Sequence, residues 1–544
     1  MKKKIIPVLV ITLVFLFMLF IYEPITLYAA STDDYWFTFG MLVKSNLTYI
    51  AYFSIFLIAI GQIIISISNK LKKEKVYLIY LLIISSLFIF SDIQGNYLSA
   101  DLPLLNGSPI EWNSYTTQMI ISIIIFIIVL GVNIFLLIKY KENYKKITTY
   151  ISLAIFLMLS TGLVTTLLTN RQMYKERGKN VLTYANINNL STDKNFLIFL
   201  IDMTDSRKFE QVIEANNKKD MLKDFSYFPD TLSAYPFTRE SIPFVLTGQW
   251  YEGEKDFSLY YNEAMNNSVL INSLVDKEYE INLYEDNMFW TDKKSEVVNN
   301  ITTVEFDVDK VCFLGEELKL IGFKYLPFPI KQLSNIESLD YGQCKNFFNT
   351  KSEMMKHEYE TDNKTVYNAL DTINLQENKY FQFIHIYGSH FPWDENKDFE
   401  KIENGTYENK IEQAIVVLEK YLNRIKESGQ YDNSVIIIMA DHGGGDYTAF
   451  GLQNPILYIK GLNETHDEMI ISDKKVSYVD LSDSIYLDLL DEKKSTELLP
   501  NLEANRVRRF LWYGVNEPYT EQILDGHAWE KEKLKNTGKT YSRT

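Results

Sequence analysis

Residues 195–202 read Asn-Phe-Leu-Ile-Phe-Leu-Ile-Asp. An unbroken apolar run closed by a carboxylate predicts a strand buried on both faces of a sheet. Two further segments have the same form. Lys379–Tyr387 runs into Gly388-Ser389-His390-Phe391-Pro392, and Ser434–Ala440 runs into Asp441-His442-Gly443-Gly444-Gly445. Between them, Glu408–Glu427 places Ile411, Ala414, Ile415, Leu418, Tyr421 and Leu422 on one helical stripe. Alternating strands and helices predict an α/β domain with a largely parallel central sheet and right-handed crossovers. Open sheets of this kind bind ligands beyond the carboxyl ends of their strands. The three polar clusters sit at those ends, so the fold can bring Asp202, His390 and Asp441 together.

Asp202, Asp441 and His442 supply two oxygens and one nitrogen, a set suited to Zn²⁺ or Mn²⁺ with a coordination position left open. The glycines after His442 let the backbone turn sharply beside such a site. On these residues alone Asp441 reads equally as a turn or helix-cap residue. Thr204 and Asp205 read as caps of the helix that follows the first strand.

Upstream, the character changes. The 544-residue chain is 47% hydrophobic and 23% charged, which excludes a disordered, collagen-like or coiled-coil protein. Five apolar runs lie near Ile5–Ile21, Tyr49–Ile67, Val76–Phe90, Met119–Ile138 and Ile147–Leu168. Most approach the roughly 20 residues of a bilayer-spanning helix. Lys2–Lys4 and Ala29-Ala30 also fit a cleaved signal peptide, but four further runs favour an uncleaved first helix. Lys2–Lys4, Lys70–Lys75 and Lys139–Lys146 mark alternate helix ends. The N-terminus is therefore expected in the cytoplasm, and the chain beyond the fifth helix outside. No Asp, Glu, Lys or Arg is central in any run, which reads as an anchor rather than a transport path. Residues 1–170 carry a net charge of +4 and the remainder −19. That sign excludes a nucleic-acid-binding module. The expected division is a transmembrane region (1–170), a juxtamembrane linker (171–194), an outer α/β domain (195–515) and a tail (516–544) with few apolar anchors that frays. Cys312 and Cys344, outside the cell, leave one disulfide open.

A fourth motif, Ala234-Tyr-Pro-Phe-Thr238-Arg-Glu-Ser241-Ile-Pro243-Phe-Val-Leu-Thr247-Gly248, gives the chain a likeness. Together with Asp202, Gly-Ser-His390-Phe-Pro and Asp441-His442-Gly443, it resembles the alkaline phosphatase/sulfatase superfamily. The resemblance is to the membrane-anchored branch containing lipoteichoic acid synthases and phosphoethanolamine transferases, and it spans roughly residues 195–515. Sulfatases close their nucleophile motif with Thr-Gly nine and ten residues on, and lipoteichoic acid synthases use a threonine followed by a short polar stretch. Both registers place the nucleophile at Thr238. The resemblance implies a metal set of Asp202, Thr238, Asp441 and His442, with His390 contacting phosphate as a second catalytic residue. His385 lies at a spacing that the transferases fill with histidine, and a satisfied core histidine is the competing reading. Arg239 can hold a phosphate oxygen or pair with a carboxylate. Tyr284-Glu-Asp286-Asn-Met-Phe-Trp290 resembles a headgroup-contacting segment, with core packing the other reading for Trp290. His357 and His527 read as neither ligand nor catalyst.

The departures carry information. Sulfatases oxidise a Cys or Ser, a chemistry that would give threonine at best a ketone. Their Pro and Arg are replaced here by Glu240 and Ile242. Sulfate-ester hydrolysis is therefore disfavoured. His466, the nearest histidine beyond Asp-His-Gly, has no matching context, so one divalent ion (Mn²⁺ or Zn²⁺, with Mg²⁺ admissible) is expected. The resemblance implies a phosphotransferase that moves phosphoglycerol or phosphoethanolamine from a membrane phospholipid to an envelope glycan or polymer through a phospho-threonine. A hydrolase or phosphodiesterase with the same site, and a non-catalytic envelope sensor or assembly factor, are the alternatives.

Overall fold

The computed structural model describes all residues except 1, 33–34, 100–101, 104, 106–109, 175–179, 287–289, 304, 335, 337–340, 349–357, 445–452, 504, 515–516 and 543–544. His357 thus lies outside the described residues. The chain forms two compact units, Met1–Arg177 with Phe306–Phe348, and Gly178–Glu305 with Asn349–Thr544.

The first unit holds five helices long and apolar enough to cross a membrane: Lys4–Ala30, Phe39–Lys70, Glu74–Asn96, Trp112–Lys139 and Tyr144–Thr169. Each contains one of the five apolar runs, because a backbone without water partners must satisfy its N–H and C=O groups within a helix. Residues 306–348, inside the stretch read as the outer domain, pack with this unit. Their main helix, Lys310–Tyr325, starts at Asp309, whose carboxylate accepts from Val311 N and Cys312 N. Tyr49 Oη donates to Lys310 O at 2.7 Å and Trp36 Nε1 to Tyr341 O at 2.6 Å. Cys312 and Cys344 are joined as a disulfide, the pairing that the sequence left open.

The second unit is built on a seven-stranded sheet. Its strands are β1 (Asn195–Ile201), β2 (Ser226–Tyr227), β3 (Tyr279–Tyr284), β4 (Lys379–Ile386), β5 (Ser434–Met439), β6 (Leu457–Lys460) and β7 (Ile470–Ile471), in the order β7-β2-β6-β5-β1-β4-β3. The segment β5-β1-β4-β3 is parallel throughout, while β6 runs antiparallel to β5 and β2. Side chains alternate between two cores. Phe196, Ile198 and Leu200 join one, and Leu197, Phe199 and Ile201 the other. That two-sided burial is why β1 lacks polar alternation, and each such Leu or Ile contributes about 1.5–3 kcal/mol.

Helix α1 (Ser206–Ala215) is capped by Asp205, which accepts from Arg207 N and Lys208 N. Helix α2 (Thr238–Thr247) buries Ile242, Phe244, Val245 and Leu246 in the first core. Helix α3 (Tyr407–Glu427) lays its apolar stripe on the second, behind a capping box of Thr406 and Asn409.

The end of the chain corrects the sequence reading. Instead of fraying beyond Glu517, it forms β9 (Tyr519–Leu524) and β10 (Leu534–Tyr541), antiparallel with β8 (Arg508–Trp512). Apolar anchors, Phe510, Leu511, Tyr519 and Leu524, are joined by polar ones. Arg508, buried, donates to Asp230 Oδ1 at 2.7 Å, and His527 Nδ1 stands 2.6 Å from Asp230 Oδ2.

Candidate active site

The three central strands β5, β1 and β4 end side by side, and the polar residues that follow them form one cluster. Asp202 follows β1 directly. Gly388, beyond β4, has φ +58° and passes against the Asp202 backbone; a Cβ there would lie 2.6 Å from Asp202 N and 2.7 Å from Asp202 O. Only glycine tolerates both the backbone conformation and the approach.

Asp202, Asp441 and His442 are all buried, and one ligand atom from each lies within 4.8 Å of the others. Asp441 Oδ1 accepts from Met203 N (3.0 Å) and His442 N (2.9 Å). Its Oδ2 makes no hydrogen bond and stands 3.4 Å from His442 Nε2. His442 Nδ1 lies 2.8 Å from Gly443 O. A carbonyl only accepts, so Nδ1 carries the proton and Nε2 presents a lone pair, 3.7 Å from Asp202 Oδ1. Thr238, the first residue of α2, points Oγ1 at the same carboxylate, 3.4 Å from Oδ1 and 3.3 Å from Oδ2.

These residues fit a divalent cation. Two ligands each about 2.0–2.2 Å from one ion stand at most about 4.4 Å apart. The separations of 3.3–3.7 Å fall inside that limit. Burial and then the charge of Asp202 push the Asp441 carboxyl up. Burial also acts upward on Asp202, but the imidazoles of His385, His390 and His442 outweigh it and hold that carboxyl down, at about 2. Two dry carboxylates facing one orphaned oxygen are an arrangement that a bound cation relieves.

The remaining expected residues are placed as follows. His390 Nδ1 is 3.0 Å from Tyr387 Oη and 3.1 Å from Phe391 O, so it donates from Nδ1 and leaves Nε2 open. His385 is buried on β4, with Nε2 3.4 Å from Asp202 Oδ2. Burial acts to lower its pKa, but Asp202, with Asp286 and Asp441, outweighs this and holds it at about 9. Arg239 lays its guanidinium over the Phe257 ring, 4.2 Å from the centroid, and lies 3.8 Å from Glu240. Trp290 is 1% exposed in the first core, and its Nε1 donates to Asn266 Oδ1 at 2.9 Å. His466 Nε2 pairs with Glu464 Oε1 at 3.1 Å.

Sequence reading missed a brace behind Thr238. Glu240, two residues after Thr238, is wholly buried and accepts from Tyr519 Oη at 2.9 Å and from Tyr513 Oη. Its only sequence signal was an acid in the first turn of a helix that becomes apolar from Ile242 to Leu246.

The sequence model of the Sulfatase family matches residues 194–477, more than half of the chain. The chain belongs to the sulfatase family. Among solved structures this family member is similar to the lipoteichoic acid synthase LtaP from Listeria monocytogenes, at 12% identity over 67% of this chain and 91% of that one, with a TM-score of 0.35. It is also similar to the C-terminal periplasmic domain of EcEptC from Escherichia coli (11% identity, 67% and 96% covered, TM-score 0.33). A protein in the alkaline phosphatase superfamily from Vibrio parahaemolyticus gives 12% identity, 66% and 85% coverage and a TM-score of 0.36. No curated protein matches the chain.

Proposed function

We propose that this sulfatase-family protein is a membrane-anchored, metal-dependent phosphotransferase that moves a phosphoalcohol headgroup from a phospholipid to an envelope glycan or polymer. The observation that carries the reading is the Thr238 hydroxyl, 3.3 Å from Asp202 and beside the buried Asp441 and His442. Threonine in the nucleophile position disfavours the oxidised nucleophile of sulfate-ester hydrolysis, so the family name does not fix the substrate.

Asp202, Thr238, Asp441 and His442 would hold the ion. When bound, a divalent cation supplies a Lewis acid that lowers the pKa of the threonine hydroxyl and neutralises charge on phosphoryl oxygens. Thr238 Oγ1, its proton given up to solvent, attacks phosphorus as the alkoxide; its bond to phosphorus forms as the bond to the diacylglycerol oxygen breaks. His390, anchored through Nδ1 and acting as the imidazolium, gives the Nε2 proton to that leaving oxygen. An acceptor hydroxyl then attacks the phospho-threonine, returns its proton to His390 and releases Thr238. Arg239 and His385 are assigned to the phosphate oxygens, and Trp290 to core packing. Five spanning helices tether the site to the membrane that contains the donor, raising its effective concentration.

Water in place of the glycan makes the same intermediate a hydrolase, so the acceptor must be assayed and not assumed. The full-length protein is incubated with vesicles of labelled phosphatidylglycerol or labelled phosphatidylethanolamine in separate tubes. Release of diacylglycerol from one of the two, lost in Thr238→Ala, is expected. Equal turnover by Thr238→Ala would remove the proposal.

A further inference from the structure

One stretch of the first unit is polar inside and apolar outside. Helix Lys310–Tyr325 is followed by a short 3₁₀ helix, Phe328–Ser334, and both belong to the unit of the five long apolar helices. Their charged groups turn inward. Lys324 is ion-paired with the buried Glu23, which also accepts from Tyr325 Oη at 3.0 Å. Lys331 is 0% exposed, and its ammonium donates to Lys324 O at 2.7 Å and to Phe323 O. Those carbonyls are ones that the end of the helix leaves without a partner in its own ladder. Large apolar side chains of the 3₁₀ helix turn outward instead: Leu333 is 74% exposed and Ile330 40%. Water favours the reverse arrangement, whereas a hydrocarbon surface favours this one.

A second observation sets the level of the segment. Phe328 N donates to Ser122 Oγ at 3.1 Å. Ser122 lies three residues, about 4.5 Å, inside the apolar run Met119–Ile138. Trp112 and Tyr115, just before that run, set their rings 6.2 and 5.7 Å from the Phe328 ring. Trp and Tyr collect where hydrocarbon meets headgroups. Ile120, Ile121 and Ile124, on the same helix as Ser122, are exposed. Ile330 and Leu333 therefore add to the apolar surface of a helix long enough to cross a membrane.

We infer that residues 310–334 form an interfacial element seated in the membrane surface, with Ile330 and Leu333 among the lipid acyl chains at the level of Trp112 and Tyr115. The occupant of this surface is phospholipid. The inference rests on the reading of the five helices as spans. It gives the chain a second attachment to the bilayer, far beyond the fifth helix and within a stretch whose sequence reads as part of the outer domain.

The test places the full-length protein in vesicles of phosphatidylglycerol and phosphatidylethanolamine that contain a phospholipid with a diazirine near the glycerol end of one acyl chain. After irradiation and digestion, mass spectrometry locates the lipid adducts. Adducts are expected on the peptide holding Ile330 and Leu333 and on peptides of the five helices. Leu333 is mostly exposed, so Leu333→Asp keeps the packing beneath it. This variant should lower the adduct yield on residues 326–334 several-fold and leave the yield on residues 116–139 unchanged. With the diazirine moved to the end of the acyl chain, adducts should shift from Ile330 towards Ile127, mid-way along its helix. Labelled helices with an unlabelled 326–334 would assign Ile330 and Leu333 to a protein partner, overturning the inference and leaving the spans in place. An unchanged yield in Leu333→Asp would overturn it as well. Helices without adducts would remove the spanning reading, and the inference with it.

Discussion

His390 shows how much a single side chain is asked to do. Its Nδ1 proton is committed to Phe391 O and Tyr387 Oη, so only Nε2 is available to a substrate, and Nε2 carries the second proton when the ring acts as an acid. A general acid held this way contributes roughly 10²–10⁴-fold to rate. His390→Ala is therefore expected to lower kcat for diacylglycerol release by that factor while the bound metal content stays unchanged. Steady-state kinetics with metal analysis on the same sample would check it, and a lost ion would instead make His390 a ligand. At this scale the sequence was informative where a residue type carried its own chemistry. Asp202, Asp441 and His442 could be chosen as ligands because carboxylates and imidazole bind divalent ions, and Thr238 through the register of its motif. Glu285 and Asp286 were read only as part of the stretch Tyr284–Trp290, and the neighbouring strand is what sets them beside the buried His385.

At the scale of elements, long strands were legible and short ones were not. β1, β4 and β5 carry unbroken apolar runs because both faces are covered, and α3 carries its stripe because one face is. The two-residue strands β2 and β7 have no pattern to read. β10, Leu-Lys-Asn-Thr-Gly-Lys-Thr-Tyr, is an edge strand with mostly exposed side chains, so its composition resembles a loop. Beside the buried Phe510, Leu511, Tyr519 and Leu524, polar contacts hold that last sheet: Glu521 accepts from Arg509 Nε at 2.7 Å and from Tyr541 Oη at 3.1 Å. The sheet also reaches helix α2 through Tyr519 and Glu240. Removing one hydrogen bond to a buried charge costs about 1.5–3 kcal/mol. Tyr519→Phe should lower thermal stability by that amount and reduce kcat with little change in ion content. A variant as active and as stable as the wild type would show that the brace does not position Thr238.

For the whole molecule, the five long apolar helices were readable from apolar length, whereas residues 306–348 were not assignable to the first unit. Nothing in their composition differs from a soluble segment, and their partners, such as Tyr49 and Trp36, are remote in sequence. Lysine placement predicts a cytoplasmic N-terminus and an outer location for everything beyond the fifth apolar helix. Protease added to intact cells is then expected to cut the chain after residue 170 and leave the spans protected. Full protection of the second unit would reverse the orientation and remove the envelope acceptor.

The most direct measurement is the mass of the Thr238 peptide after brief incubation of the full-length, metal-loaded protein with phospholipid vesicles and no acceptor. A phosphoglycerol or phosphoethanolamine adduct on Thr238, absent in Thr238→Ala, is the expected result. An unmodified peptide from a preparation that is turning lipid over, or an adduct on another residue, would contradict a covalent phospho-threonine.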